Sequence, residues 1–451
     1  MTLHSHLFGD PEVDRHFSDE SRLQAMLDVE VALAEAQGRA GMIAPSAIDA
    51  IRTAAQIDRY AIAALASDAA AAGNIVIPLV TRLTRETAAR DPLAARFVHF
   101  GATSQDVIDT GLVLVLRAAL PALVRHVDRG AAAAARHARH HRRTPQAGRT
   151  WLQQATPITF GLKAAGWLDA LARDRTRLMA AASQGFVLQF GGASGTLAAL
   201  GASADAVARA LAERLDLPLP VVPWHAHRDR LASFACALGV LTGTLGKIGR
   251  DLALLAQTEV AEAFEAPREG HGGSSTMPHK QNPVSAAVAA AAAVRVPALV
   301  ASMLAGMPQE HERGLGGWHA EWDVLPELFQ LTGGAARSIA DALEHLVVDA
   351  ERMTANLEIT GGAVQAEAVT AALTPQLGRA EAHALVEAAT RRAMVERRPL
   401  AEVLGDDENV RRALDAGTVA RLLAPGEYLG QAEAMIDRVL TAWEREQRDR
   451  A

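Results

Sequence analysis

From Leu231 to Leu255 the apolar residues Leu231, Phe234, Leu238, Leu241, Leu245, Ile248, Leu252 and Leu255 follow one another at alternating intervals of three and four. That is the 3.5-residue repeat of a helix that lays one narrow stripe against another helix. A stripe of this kind cannot be left in water, so it demands a partner and commits the chain to packed long helices. Extended from about residue 229 to 265, the helix would be about 55 Å long at 1.5 Å per residue, longer than a small domain, which predicts a bundle shared between subunits. Gly239, Gly243, Gly246 and Gly249 interrupt it. Each costs about 1 kcal/mol relative to alanine, so close approach of a neighbouring helix is expected to compensate.

Composition supports the same architecture. The chain is 49% hydrophobic but only 4% aromatic, so its interior must be built from Ala, Leu and Val, which suits closely spaced helices better than a β-sandwich. Its 451 residues call for more than one structural unit. Shortening helical patterns divide it into a helical segment 1–103, a long-helix bundle 104–350 and a third helical segment 351–451. Ser18 is a natural N-cap for the pattern that Gly41 and Pro45 terminate, Pro121 is expected to kink the pattern from Ser104, and LTPQLGRAEAHALVEAATRRA is the clearest helix near the C-terminus.

Charge and cysteine content exclude several function classes. The formal net charge is −7 with both signs interspersed, which argues against nucleic acid as a partner. The single Cys236 rules out an intrachain disulfide framework and a Cys-based zinc site, and fits a reducing compartment. With no basic and apolar leader pattern at the N-terminus, the cytoplasm is the expected location. The Ala-rich stretch 286–302 contains Arg295 and Pro297 and reads as a bundle helix rather than a membrane span. The run RHARHHRR reads as a solvated helix face, not a metal site; no metal is expected.

Three polar segments interrupt the helices: HFGATSQD (99–106), GRTWLQQATP (148–157) and GGSSTMPHKQNP (272–283). Thr and Ser cap helices well, so the first alone has an ordinary structural explanation. The third does not. A glycine hinge, paired serines and a Lys-x-Asn spacing have little joint reason to occur in a plain loop.

In these segments the chain resembles the fumarase/aspartase superfamily, whose signature G-S-x-x-M-x-x-K-x-N is matched at Gly273, Ser274, Met277, Lys280 and Asn282. The resemblance extends through HFGATSQDVIDTG, GRTWLQQATPITFG, QEHERGLGGWHAEW and LGRAEAH, nearly the whole chain. It implies an all-α, three-domain homotetramer around a core of long helices, with each active site assembled from several subunits. It implies cofactor-free formation or cleavage of a C–O or C–N bond β to a carboxylate, through an aci-carboxylate. Ser274, on a mobile loop 269–283, would be the proton-transfer group, with Lys280 and Asn282 holding carboxylate charge. Thr103, Ser104, Thr150, Trp151, Gln153, Ser275, Met277, Arg313 and His99 would contact substrate.

Trp151 departs from the superfamily pattern, which carries His after the Thr in adenylosuccinate lyases, argininosuccinate lyases and fumarases. Indole cannot deliver a proton. Amine and hydroxide leaving groups need acid assistance, whereas a carboxylate, with a conjugate acid of pKa about 4, does not. TWLQQATP, WHAHRDR and HERGLGGWHAEW resemble the branch that lactonises 3-carboxy-cis,cis-muconate in protocatechuate catabolism (the β-ketoadipate pathway). That resemblance implies a cycloisomerase acting on a small tricarboxylate. The alternatives are a C–N lyase of adenylosuccinate type, against which Trp151 counts, and a non-catalytic scaffold, against which Ser274, Lys280 and Asn282 count. His225, Trp224, Trp318 and Arg149 are left without assigned roles: each tryptophan could wall a site or fill the core, and Arg149 could bind a carboxylate or form a structural salt bridge.

Overall fold

The computed structural model describes residues 4–268, 270 and 272–450; Glu269 and His271 of the expected loop lie outside the described residues. Helices dominate, and the described strands form two small antiparallel sheets: β1 (Pro145–Thr150) with β2 (Gln153–Thr159), and β3 (Ala263–Glu265) with β4 (Leu346–Val348). The chain falls into two compact units. The first comprises Met1–His126, Asp174–Leu245 and Ala291–Arg337; the second comprises Val127–Arg173, Gly246–Ala290 and Ser338–Ala451.

In the first unit Ser18 caps the Asp19–Arg39 helix as the sequence suggests, its hydroxyl accepting from the Ser21 amide. Gly41 follows that helix with φ of +75°, and Pro45 opens the next. The ring of Phe234 lies 4.8 Å from Phe186 and 6.0 Å from Phe329. Beside them the hydroxyls of Thr242 and Thr332, both buried, satisfy each other at 2.9 Å.

The seam from Leu231 to Leu255 departs from expectation in its partner. All eight residues are at most 4% exposed within the single chain, so the stripe is covered by the chain's own helices rather than by another subunit. Each such leucine contributes about 1.5–3 kcal/mol by leaving water. The glycines explain how neighbours come close enough. A methyl at Gly239 would sit 2.8 Å from the Val300 side chain, and one at Gly249 would sit 3.0 Å from the Ala286 carbonyl; Gly243 has open space.

The helix itself stops earlier than expected, spanning Asp229–Leu255, about 40 Å. Its end is fixed by a reversal at Ala261, φ +51°, after which the Glu262 amide donates to the Leu255 carbonyl. That satisfies one of the carbonyls a helix end leaves unpaired.

In the second unit the expected C-terminal helix is two, Ala366–Leu377 and Arg379–Glu396, divided at Gly378 with φ of +75°. Ser104–His140 continues as helix through Pro121. The basic run at its end is ion-paired rather than simply solvated. Arg142 reaches Glu433 at 2.8 Å and Asp437 at 2.7 Å, and Arg139 reaches Glu444, all three on the Ala432–Arg450 helix. Single exposed pairs contribute little, but a set of them fixes how that helix docks.

Three described helices, Ser104–His140, Asp229–Leu255 and Val284–Ala305, are long and apolar enough to cross a membrane by length and composition alone. The apolar stretch of the first is 72% buried within the chain; that of Val284–Ala305 is only 33% buried. Val294 and Leu304 stand open on that helix.

Candidate active site

The first unit gathers one group of expected site residues around the start of the Ser104–His140 helix. Thr103 caps it reciprocally with Asp106: the Asp106 amide donates to the Thr103 carbonyl, and the Thr103 amide donates to the Asp106 carboxylate at 3.0 Å. The same buried carboxylate accepts from the amides of Gly191 and Gly192, and pairs with Nε2 of His225 at 2.7 Å. Gly192 has φ of +68°, and a side chain there would meet the Gly101 carbonyl at 2.9 Å, so the close approach of these two loops requires glycine.

Arg313 completes the group. Its guanidinium donates to Thr103 Oγ1 at 2.8 Å and to the Ala193 carbonyl at 2.9 Å. These partners are neutral, so the cation keeps its charge available for an anion. His99 stands apart from Arg313 in its bonding: Nδ1 pairs with buried Glu30 at 2.6 Å, and the His99 amide donates to the same carboxylate. Burial opposes the imidazolium, but Glu30 outweighs it and raises the His99 pKa. Ser104 is half-buried beside Thr103.

Behind this group lies a buried ionic cluster. Arg228, 1% exposed, donates to Asp109 at 2.7 and 3.0 Å and to Glu321 at 3.0 Å. Its guanidinium lies 4.7 Å from the centroid of Trp224, and Trp318 donates to Asp109. Burial works against the arginine's charge, but the two carboxylates overcome it and raise its pKa. Trp224 and Trp318 therefore belong to the scaffold, as does His225.

The second unit carries the other expected residues on two exposed projections. The first is the hairpin β1–β2, paired Thr150 to Gln153 and Arg149 to Gln154. Its two-residue turn is Trp151–Leu152, with φ of +53° and +64°. Such a turn ordinarily takes Asn-Gly, because side chains disfavour positive φ at both positions. Here it presents two large apolar side chains, 96% and 81% exposed. Backbone strain that exposes apolar surface points to a functional constraint. Thr150 and Gln153 are exposed beside it.

Arg149 is a structural residue of this hairpin. It forms a two-pronged pair with Glu262, which is fully buried and also accepts from Gln146 at 2.7 Å and Asn356 at 2.8 Å. Gln154 donates to the Asn356 carbonyl. The base of the hairpin is thereby locked while its tip stays open.

The second projection is the signature loop. Asn282 donates its amide to the Gly272 carbonyl at 2.8 Å, and Gly273 bridges Gln281, which closes a narrow stem. Gly272 has φ of +71°, and a methyl there would lie 2.6 Å from the Asn282 carbonyl. Within the stem Ser274 Oγ accepts from the amides of Met277 at 3.0 Å and Thr276 at 3.3 Å. Two N–H donors aimed at a hydroxyl oxygen favour its anionic form. Ser275, Met277 and Lys280 are exposed, and Asn282 is half-buried. Among the described residues no hydrogen bond or ion pair joins Ser274 or Lys280 to Trp151 or Gln153.

Thr103 and Arg313 are thus brought into contact, whereas the expected residues of the second unit remain on separate projections. A cavity of about 720 Å³ in the first unit, lined by His16, Glu20, Asp28, Arg117 and Arg214 among others, contains none of them. The sequence reading missed Asp106, Asp109, Glu262 and Glu265. Acidic residues beside the polar motifs were the available signal, since carboxylates are rarely buried without partners.

A family model for lyases matches residues 10–298, and one described as the adenylosuccinate lyase C-terminus matches 362–439. The 3-carboxy-cis,cis-muconate cycloisomerase of Pseudomonas aeruginosa is 54% identical, over 94% of this chain and 92% of its own. Nitrosuccinate lyase of Streptomyces davaonensis is 44% identical, over 95% and 92%. The crystal structure of the 3-carboxy-cis,cis-muconate lactonizing enzyme from Pseudomonas putida superposes with a TM-score of 0.93 at 50% identity, covering 98% of this chain and 99% of that one. With the signature intact around Ser274 and the helical scaffold shared from end to end, the chain belongs to the fumarase/aspartase superfamily of lyases.

Proposed function

We propose that this chain is a cycloisomerase that converts 3-carboxy-cis,cis-muconate to 4-carboxymuconolactone in aromatic catabolism. The observation that carries the reading is the 54% identity to the Pseudomonas aeruginosa cycloisomerase across 94% of the chain. In the lactonising direction a substrate carboxylate oxygen attacks an alkene carbon and forms the ring C–O bond. The displaced electron pair moves onto the neighbouring carbon and is held as an aci-carboxylate. Ser274 gives that carbon its proton, and the pair of amides at Ser274 Oγ supports this role by stabilising the oxyanion left behind.

Lys280 and Asn282 hold the developing charge, and Arg313, with Thr103, Ser104 and His99, receives a substrate carboxylate. The neutral partners of Arg313 support that assignment. Thr150, Trp151, Gln153, Ser275 and Met277 shape the remainder of the pocket. Because the departing group in reverse is itself a carboxylate, no acid is needed where Trp151 stands. Catalysis occurs in a cytoplasmic homotetramer, three-part in each subunit at residues 103 and 350, with sites shared between subunits. The open Val294 and Leu304, and the bare hairpin tip, favour such an assembly.

The 44% identity to nitrosuccinate lyase favours a second reading, elimination of nitrite, which also leaves without acid assistance. One experiment separates these. The protein is incubated with 3-carboxy-cis,cis-muconate, nitrosuccinate or adenylosuccinate while ultraviolet absorbance and nitrite are followed, and its mass is measured by light scattering. Loss of diene absorbance with the muconate alone, by a tetramer, is the expected result. Turnover of nitrosuccinate or adenylosuccinate in its place would reject the cycloisomerase reading.

A further inference from the structure

Between Glu265 and Ser285 no described residue is buried: the described part of the signature loop is exposed or half-buried, while the residues at its two ends are 7% and 4% exposed. These ends touch each other. One carboxylate oxygen of Glu265 accepts from the Ser285 hydroxyl at 2.8 Å, and the other accepts from the Ala286 amide at 3.3 Å. Ser285 and Ala286 lie in the first turn of the Val284–Ala305 helix, so Glu265 caps that helix from a distant position in the chain.

The segment that holds Glu265 is itself immobilised. Ala266 donates its amide to the His345 carbonyl, β3 pairs with β4, and Glu262 anchors the preceding turn through Arg149, Gln146 and Asn356. A buried carboxylate at a rigid strand therefore staples the two feet of a loop whose described residues bond within the loop, through the Gly272–Asn282 stem and the turn at Ser274. We propose that Glu265 is a positioning residue for the reaction: by fixing both feet of the loop, it restricts the arc through which Ser274 can swing. It never touches substrate. The physical effect is a smaller orientational search before proton transfer, because a loop pinned at its base has fewer conformations to lose on closing.

The inference rests on Ser274 as the proton-transfer group, and its test has one arm that does not. Glu265→Ala, Glu265→Gln and Ser285→Ala are compared with the parent in the full-length protein. The first arm is the rate of tryptic cleavage after the exposed Lys280, without substrate. The second is kcat and KM for lactonisation, with thermal melting as a check on the fold.

Glu265→Ala should accelerate cleavage at least fivefold and lower kcat at least tenfold, with KM changed less than threefold. Glu265→Gln should restore both to within about threefold, since its amide can accept from Ala286 and donate to Ser285. Ser285→Ala, which loses one of the two bonds, should fall between them. Parent-like cleavage and kcat in Glu265→Ala overturn the proposal, as does a Gln variant as impaired as the Ala variant. If Glu265→Ala fails to fold, Ser285→Ala decides by the same two measurements, and parent-like behaviour there is equally fatal. A protein that does not turn over the muconate would refute the functional reading, while the cleavage arm would still judge the staple.

Discussion

Arg228 and Lys280 are both cations in motifs that link this chain to its relatives, yet they live under opposite physical rules. Arg228 is buried between Asp109 and Glu321 and against the ring of Trp224, with Trp318 donating to the same Asp109. Every neighbour is committed, and removing one partner would strand the others. Lys280 is exposed on a loop whose internal contacts are a short stem and the turn at Ser274. The first arrangement can only position; the second can still bind. A motif in sequence does not distinguish these roles, because polar residues are needed both to build a scaffold of closely packed helices and to act upon a substrate.

The strongest way to break this contrast is Arg228→Met. Two buried carboxylates would then lack their counter-charge, and the loss should be about 3–5 kcal/mol of stability, enough to deplete soluble protein. Urea denaturation measures it. A melting curve that overlays the parent's would mean that the cluster relaxes or hydrates at little cost.

Ser274→Ala should show the opposite pattern. Loss of a general acid–base group lowers kcat by about 10²–10⁴-fold, while the melting temperature should stay within a degree or two because the side chain is only partly buried on an open loop. Near-parental turnover would remove Ser274 from the mechanism.

Trp151→His sharpens the comparison at the hairpin tip. With a carboxylate as leaving group the new imidazole has nothing to protonate, so lactonisation should be unchanged or slower, by about two- to tenfold through lost positioning. The variant's kcat/KM across pH is the measurement. A faster enzyme with a new ionisation near the ordinary histidine pKa of about 6.5 would show that acid assistance does limit the reaction.

The smallest effects concern two histidines whose environments act in opposite senses. In the first unit Glu30 raises the His99 pKa against burial. That pair should contribute its full stability below the ordinary value of 6.5 and lose it as pH rises through the raised one. In the second unit burial, reinforced by His140 and His137, pushes the His141 pKa down to about 4. Its contribution should be present above 6.5 and disappear as pH falls toward 4. Melting temperatures of His99→Gln and His141→Gln, followed from pH 4 to 8.5, should lose opposite slopes relative to the parent. Equal changes in both would contradict these environments.

Some of this was readable in the residues because it depends on local periodicity. The seam from Leu231 to Leu255, the Ser18 cap and the glycines facing Val300 and Ala286 follow from helical spacing and from the steric needs of a single turn. The signature around Ser274 was equally legible, since its matched positions lie within a short stretch of chain. What the seam packs against was not legible. An apolar stripe specifies that it must be covered, but the same 3.5-residue pattern serves a neighbouring helix of the same chain and a helix of another copy equally well.

The sequence by itself determined the fold class, the superfamily and the residue types available for chemistry, because periodicity, composition and short motifs are properties of neighbouring residues. Only the tertiary structure decided that Arg149 belongs to Glu262, that His225 serves Asp106, that Trp224 and Trp318 are scaffold, and that Glu265 meets Ser285. Each is a pairing of groups far apart along the chain. Charge complementarity permits many such pairings in a chain with 45 basic and 52 acidic residues, and burial selects among them, because in a low-dielectric interior only the partner that is physically in reach can offset the cost of leaving water.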